Sequence, residues 1–461
     1  MKQLFIITSA ILFSILFFNK SLGLNIFLFS ILTIIFLWFS HPQKAKERNN
    51  ILLQMIYVLA ALFVFFQNST LSIFTNCVLF FTLIGSIQDS NSSVYIKWLN
   101  GIYSTIAGLF HRNFEVNNTE EKVKIKTDVD VIHLAKLIGI PLVFVIIFIL
   151  LYKNGNPVFK DLINAINFSF INIRWILFTV LGYYVFNNIS KPVSVEPATH
   201  IDIEKDNNLE KQLPFNIDAL SKEVQLGITL LGILNAILVF YIATDIISIY
   251  QLDYSRASRL SAEVHNGINT LIASILIAIS IILYFFRGNL NFFEKNKSLK
   301  VLTYAWISLN IVLIALIAFK NQSYISAFGL TYKRIGVHIY IFLTLIGLCT
   351  TLIKVLNIRN LTYLFRVNTS IAFLTLITLS SINWDDTITI YNLTKVENFD
   401  INYLLRLSDN NANALYELKD QLNISEIDKA RIESKYRHYL QRIETSDWQE
   451  MTYNHFKIDK R

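Results

Sequence analysis

The chain has 461 residues, of which 53% are hydrophobic and 16% charged, where soluble domains carry about a quarter charged residues. Its 36 Phe, 21 Tyr and 6 Trp against 14 Gly and 6 Pro exclude a collagen-like, disordered or disulfide-framework chain. A mean hydropathy of +0.46 with a formal net charge of +8 puts it in the class of polytopic membrane proteins, read here as an all-α transmembrane helical bundle with a small helical extramembrane C-terminal module.

A spanning helix needs about 20 mostly apolar residues, because each adds about 1.5 Å against a hydrocarbon core of about 30 Å. Apolar runs at 4–18, 22–40, 51–66, 69–87, 134–152, 172–189, 224–250, 269–286, 301–319, 337–356 and 368–382 predict eleven spans. The first is short and follows Lys2, so a secretory signal competes with an anchor. Phe17-Phe18-Asn19-Lys20-Ser21 offers no small-x-small cleavage site, and the segment reads as an uncleaved anchor paired with the second span through a turn at 19–23. Residues 67–70 join the next two spans in the same way.

Between the fourth and fifth spans, residues 94–113 place Tyr95, Trp98, Leu99, Ile102, Ile106, Leu109 and Phe110 at helical spacing, with Lys97, Asn100 and Ser104 elsewhere. The pattern fits a helix lying in the membrane interface and, equally, an amphipathic helix packed on the bundle. Asn156-Pro157 opens a similar pattern, with Pro at the first helical position. The charge-mixed stretches 114–131 and 191–219 read as mobile loops.

The tail differs in kind. Asp400 caps a short run at 401–407, and Asp409 starts another that includes Leu415, Leu418 and Leu422. Ser425 and Asp428 resemble a capping box opening a longer helix with apolar Ile432, Tyr436, Tyr439, Leu440 and Ile443. That stripe needs a surface: the tail's own short helices, the loops beside it, or another protein. The expected organisation is thus a membrane region at 1–190 with six spans, a loop at 191–222, a second membrane region at 223–384 with five spans, and a helical tail at 385–461.

With the N-terminus inside, the inner loops and helix ends hold 21 Lys and Arg and the outer ones nine, so the positive-inside rule favours this orientation. An odd number of spans then puts the tail outside. The tail carries 11 basic and 14 acidic residues, so the basic excess belongs to the membrane part, where anionic lipid at the inner surface is its counter-charge. The lipid bilayer is therefore the expected partner, and no nucleic-acid-reading motif accompanies the charge. Cys77 and Cys349 both fall inside predicted spans and give no disulfide framework.

The closest glycines are Gly227 and Gly232, which removes GxG, GxSxG and GxxxG patterns, and Ile233 follows the second where a Walker A loop needs Lys. HExxH and CxxC are absent. No cofactor is expected. Polar residues within the spans are few: Asp245 near the outer end of the seventh, His338 opening the tenth, and Lys354 near the inner end of the tenth, placed to snorkel.

From the seventh span onward, several groups of residues form a set: Leu234-Asn235, Thr244-Asp245-Ile246, Ser261-Ala262-Glu263-Val264-His265-Asn266-Gly267, Asn310, Tyr324 through Gly329-Leu330-Thr331-Tyr332-Lys333-Arg334 to Val337, Asn383-Trp384-Asp385, Tyr391-Asn392-Leu393, and Tyr403-Leu404-Leu405-Arg406-Leu407-Ser408. The set resembles a family of bacterial multi-pass inner-membrane proteins grouped under domain of unknown function 4173, with Gly-Leu-Thr-Tyr-Lys-Arg as its most specific part. The likeness covers the second half; the first six spans share only hydropathy and loop spacing. It implies an integral membrane protein and brings no activity or catalytic residue with it.

These positions converge on the outer connections: Asp245, Asp253, Arg256, Arg259, Glu263 and His265 around the one between spans seven and eight, and Tyr324, Tyr332, Lys333 and Arg334 in the one between nine and ten. An Asp in a span costs about 2.5–3.5 kcal/mol at the helix centre and less near the interface, so Asp245 needs a partner, for which Lys333 or Arg334 is the natural choice. The plainest reading is that ion pairs and turns at Gly329 and Gly336 tie two hairpins together. A pocket for an anionic headgroup or solute is the sharper one, and a metal site at Asp253, Glu263 and His265 the least supported. The leading functional reading is a non-enzymatic anchor, interaction or regulatory protein of the cell envelope, its tail meeting a protein partner. A transporter or lipid-handling protein using the outer cluster comes second, and a membrane-embedded transferase third, since no nucleophile and base are paired.

Overall fold

The computed structural model describes residues 2–118, 131–165, 172–214, 216–250, 257–397, 399–422 and 424–458. It is all-α among these residues apart from one isolated bridge between Asn208 and Arg359. The bundle comprises α1 (Lys2–Phe17), α2 (Leu24–Ser40), α3 (Pro42–Ala45), α4 (Arg48–Gln67), α5 (Thr70–Gln88), α6 (Val94–Asn118), α7 (Val131–Gly155), α8 (Pro157–Ala165), α9 (Ile173–Ile189), α10 (Ala198–Glu204), α11 (Ile217–Tyr250), α12 (Ala257–Phe285), α13 (Lys297–Phe328), α14 (Tyr332–Leu356) and α15 (Leu361–Ser380). The tail adds α16 (Trp384–Lys395), α17 (Ile401–Arg406), α18 (Ala412–Leu418), α19 (Glu426–Glu444) and α20 (Tyr453–Ile458).

Each apolar run of the sequence is a helix. Six described helices, α4, α5, α11, α13, α14 and α15, are long and apolar enough to cross a membrane, and α1, α2 and residues 271–285 of α12 are shorter apolar helices. Short polar caps set the breaks. Asn68 turns the chain in the left-handed region at φ 42°, and Ser69 with Ser72 then forms a capping box that starts α5. Asn360 and Asn383 cap α15 and α16 through their side-chain oxygens.

Two cores organise the bundle. The first holds Ile6, Phe36, Tyr57, Leu83 and Phe186 from α1, α2, α4, α5 and α9, and it also takes Ile377 from α15. The second holds Leu231, Ile282, Ile307, Leu313 and Leu348 from α11 to α14. In lipid there is little hydrophobic drive between helices, so close backbone approach carries the packing. Gly182 of α9 supplies it against α1, where a methyl group would stand 2.8 Å from the Phe13 ring, and Ser14 and Thr179 hydrogen-bond across the same contact at 2.7 Å.

The connections at 41–47, 89–93, 190–214, 286–296 and 357–360 gather at one end, called here the basic end, and the tail sits on the other. α6 lies against the basic ends of its neighbours. Gly85 of α5 and Gly101 of α6 let the two backbones touch, since a methyl group at Gly101 would fall 1.7 Å from the Phe81 carbonyl oxygen. Its polar stripe, Lys97, Asn100 and Ser104, is buried, while Trp98, Leu99, Ile106 and Phe110 are exposed. The helix thus turns its polar side to protein and its apolar side outward.

The segment expected to be a mobile loop at 191–219 is held along much of its length. Val193 N–H donates to Ser104 Oγ at 2.9 Å, Val195 N–H to Asn100 Oδ1 at 2.9 Å, and Leu209 N–H to the Ile358 carbonyl at 3.0 Å. Its polar composition serves hydrogen bonding to α6 and to the α14–α15 turn. The other stretch expected to be mobile lies, at 119–130, outside the described residues. Lys354 departs from expectation too: instead of snorkelling, it is 1% exposed and donates to the Phe286 carbonyl at 2.7 Å, closing the end of α12.

The tail forms a third core on the opposite end, with Ile388, Leu404, Leu415 and Ile432 packed on Ile335 of α14. Outside the membrane each such buried side chain contributes about 1.5–3 kcal/mol. The apolar stripe of α19 is therefore covered by the tail's own helices and by the bundle, and the tail reaches both halves. Leu24 N–H donates to the Met451 carbonyl at 2.8 Å, Ser21 N–H to Glu450 Oε1 at 2.7 Å, and Asn410 Nδ2 to the Gln67 carbonyl at 2.7 Å.

Candidate functional site

The polar residues singled out in the second half meet where the tail sits on α11, α13 and α14. Asp245, 7% exposed near the end of α11, is in a salt bridge with Lys320 of α13. Lys320 thus replaces the partners expected from sequence. Arg334 is turned elsewhere, and Lys333 is exposed on the first turn of α14. Asp245 Oδ2 is buried and accepts no hydrogen bond among the described residues.

Arg334, 8% exposed, closes the end of α13. Its Nη1 donates to the Phe328 carbonyl at 2.7 Å and to the Gly329 carbonyl, and its guanidinium lies 4.0 Å from the centre of the Tyr324 ring. A cation there meets the negative end of the helix dipole and an aromatic face together. Asn321, next to Lys320, donates to the Arg334 carbonyl at 3.0 Å, so adjacent residues of α13 hold the two clusters. Gly329 sits at φ +83°, and a methyl group there would come 2.4 Å from Asn392 Oδ1. Asn392 uses that space to bridge Leu330, accepting from its N–H at 2.5 Å and donating to its carbonyl at 2.9 Å. Gly336, expected at a turn, lies instead within α14.

Tyr332 completes the joint. Its hydroxyl donates to Asp385 Oδ1 at 2.6 Å, Ser408 Oγ donates to Asp385 Oδ2, and the Tyr332 N–H donates to the Tyr403 hydroxyl at 3.0 Å. Asp385 is 6% exposed, and both of its carboxylate oxygens are taken up by these bonds. Burial raises the Tyr403 phenol above its ordinary range; the Tyr332 N–H opposes the shift and the Asp385 carboxylate adds to it.

The structure brings Tyr332 and Arg334 together with Asp385, Asn392, Tyr403 and Ser408, and it pairs Asp245 with Lys320. Asp253 and Arg256 lie outside the described residues. Glu263 and His265 fall on α12, their side chains and that of Arg259 also outside what is described. The chemistry of the joint is attachment: one helix end closed by a cation, and one carboxylate shared by hydroxyls of α14 and the tail.

A second polar cluster, at the basic end, was missed by sequence reasoning. Asp202 of α10 accepts from the Ser93 N–H at 2.7 Å and from the Tyr95 hydroxyl at 2.7 Å, and it pairs with Arg366 of α15 at 3.4 Å. Burial pushes its carboxyl up, but the Ser93 and Tyr95 hydrogen bonds and the Arg366 charge outweigh it and hold the group below the ordinary carboxylate range. Lys97 lies close by; burial lowers it, with Asp89 and Asp202 opposing. The only sequence signal was Lys97, Asn100 and Ser104 on one face of α6.

The blocks singled out in the second half assemble at one joint, which raises the question of kinship. A family profile described as Domain of unknown function (DUF4153) matches residues 4–418. The chain belongs to this family. The resemblance drawn from sequence named a differently numbered family of unknown function, and DUF4153 replaces it. The match also extends through the first half, where only hydropathy had been shared, and ends within α18. No curated protein and no solved structure matches the chain.

Proposed function

We propose that this DUF4153 protein is a non-enzymatic integral protein of the bacterial cytoplasmic membrane that carries a folded module on its outer end and acts as an anchor for another envelope protein. The N-terminus and the basic end face the cytoplasm, and the tail is extracytoplasmic. The observation that carries this reading is the seating of the tail: it is bonded to the α1–α2, α4–α5 and α13–α14 connections at once, so both cores present it as one surface. Its covered stripe leaves Arg431, Ser434, Arg437 and His438 of α19 facing outward, a polar docking face.

Solute binding by the polar cluster has less support, because the Tyr332 hydroxyl and Arg334 Nη1 already donate to protein acceptors. The test is a photo-cross-linking residue placed at Ser434 and, separately, at His438 in cells. A discrete adduct with one envelope protein from these positions is expected, and its absence from both overturns the reading. Cysteine labelling by a membrane-impermeant reagent, at Ser434 and at Lys205 in turn, checks the orientation: only the first position reacts in intact cells.

A further inference from the structure

The two cores leave a gap where α15, whose Ile377 belongs to the first core, runs beside α12 and α14 of the second. It is an open groove of about 900 Å³. Leu276, Ile279 and Leu283 of α12, Leu343 of α14, and Leu364 and Ala372 of α15 form its walls. From Leu276 to Arg287 it runs about 16 Å at ~1.5 Å per residue. Hydroxyl groups also line it, yet they present carbon. Ser280 bonds the Leu276 carbonyl at 2.9 Å, Thr344 the Tyr340 carbonyl at 2.8 Å, Thr351 the Gly347 carbonyl at 2.7 Å, and Thr369 the Phe365 carbonyl. With those protons spent on the helices, the interior suits a hydrocarbon chain, and its position between membrane-crossing helices opens it to lipid.

One end of the groove is charged. Arg287, half exposed, lies 4.1 Å from the centre of the Tyr284 ring and donates to the Tyr284 carbonyl at 2.5 Å. Glu223 meets one side of its guanidinium at 3.2 Å. The Lys354 ammonium is bonded to the neighbouring Phe286 carbonyl, and Arg359 stands two residues before Leu361 of the groove wall. Asn208 links Arg359 to the Asp206 carboxylate, so Arg287, Lys354 and Arg359 stand against Glu223 and Asp206 and leave a net positive mouth at the basic end, where a phosphate would sit.

We infer that the groove holds one anionic phospholipid, an acyl chain between α12, α14 and α15 and its phosphate at Arg287, joining the two cores. The inference is independent of the tail's role. Gly347 faces the gap, since a methyl group there meets only Ile279 Cδ1, at 3.7 Å, so a large side chain at this position fills the groove.

The test is native mass spectrometry on the full chain released from nanodiscs of equal phosphatidylglycerol and phosphatidylcholine. One retained phosphatidylglycerol per chain is expected for the wild type. Gly347→Trp loses it, and Arg287→Gln retains the two lipids alike. Equal retention of both lipids by the wild type, or undiminished retention in Gly347→Trp, means annular lipid only and overturns the inference. If Gly347→Trp fails to fold, Ala372→Trp fills the groove from the opposite wall and decides in the same way.

Discussion

Tyr332, the first residue of α14, donates its hydroxyl to Asp385 at the start of α16, at 2.6 Å, so a residue of the membrane bundle and one of the tail share a buried carboxylate. A hydrogen bond to a charged group contributes about 1.5–3 kcal/mol, and the cost rises when a buried charge loses its donor. Tyr332→Phe is expected to lower stability by about that amount, from the same principle. Asp385→Asn, which also disturbs Ser408, costs more. Thermal unfolding in detergent measures both, and limited proteolysis then shows the tail cleaved before the bundle. Unchanged midpoints in both variants would remove the joint as the tail's attachment.

The buried pair of Asp245 and Lys320 makes a different prediction. Removing one partner of a buried ion pair costs about 3–5 kcal/mol, whereas replacing both by apolar groups is often neutral. Asp245→Asn and Lys320→Met are each expected to lower the melting midpoint, and the double substitution Asp245→Leu with Lys320→Met to recover most of the loss. If the double variant is as unstable as the sum of the singles, the residues act separately.

The α1–α2 turn holds the tail to the first core by backbone proximity. A methyl group at Gly23 would stand 2.3 Å from the Glu450 carbonyl oxygen and 2.8 Å from that of Met451. Neither acceptor is the end of a flexible side chain, so Gly23→Ala must displace the segment and break the Leu24 to Met451 hydrogen bond. Faster amide exchange at Leu24, with α19 unaffected, is the expected reading by mass spectrometry. Protection equal to the wild type would show that the turn adapts.

Hydropathy made the helices of the bundle legible, because lipid imposes both a length and a composition. The positions at the joint were legible as a set for another reason: Gly329, Tyr332, Arg334 and Asp385 are residue types whose polar or turn-forming character has no place in a plain span. Their partners were not legible. Lys320 reads from sequence as a helix-end lysine and Asn392 as one of the set with no partner named, and only the approach of α11 to α13 and of α16 to the α13–α14 turn pairs them. The 191–219 segment misled because a hydrogen-bonding strap and a mobile loop share one composition. What separates them is the row of acceptors and donors on α6, which belongs to another part of the chain.

That strap carries the last prediction, through Asp202. Its folded carboxyl lies below the ordinary value, so folding favours the ionised form. A group of this kind stabilises fully above its unfolded pKa, near 3.9. The contribution shrinks as pH falls below that value and is lost once pH passes the lower folded pKa. The strap should therefore stay docked from neutral pH down to about pH 4 and loosen below it. Amide exchange at Ser93 and Val195, corrected for the intrinsic effect of pH, follows the release. Asp202→Asn removes the charge that Arg366 and the two donors hold, so the variant is expected to show the loosened exchange already at pH 7 and no further step in acid. An acid step retained in that variant would assign the release to another carboxylate.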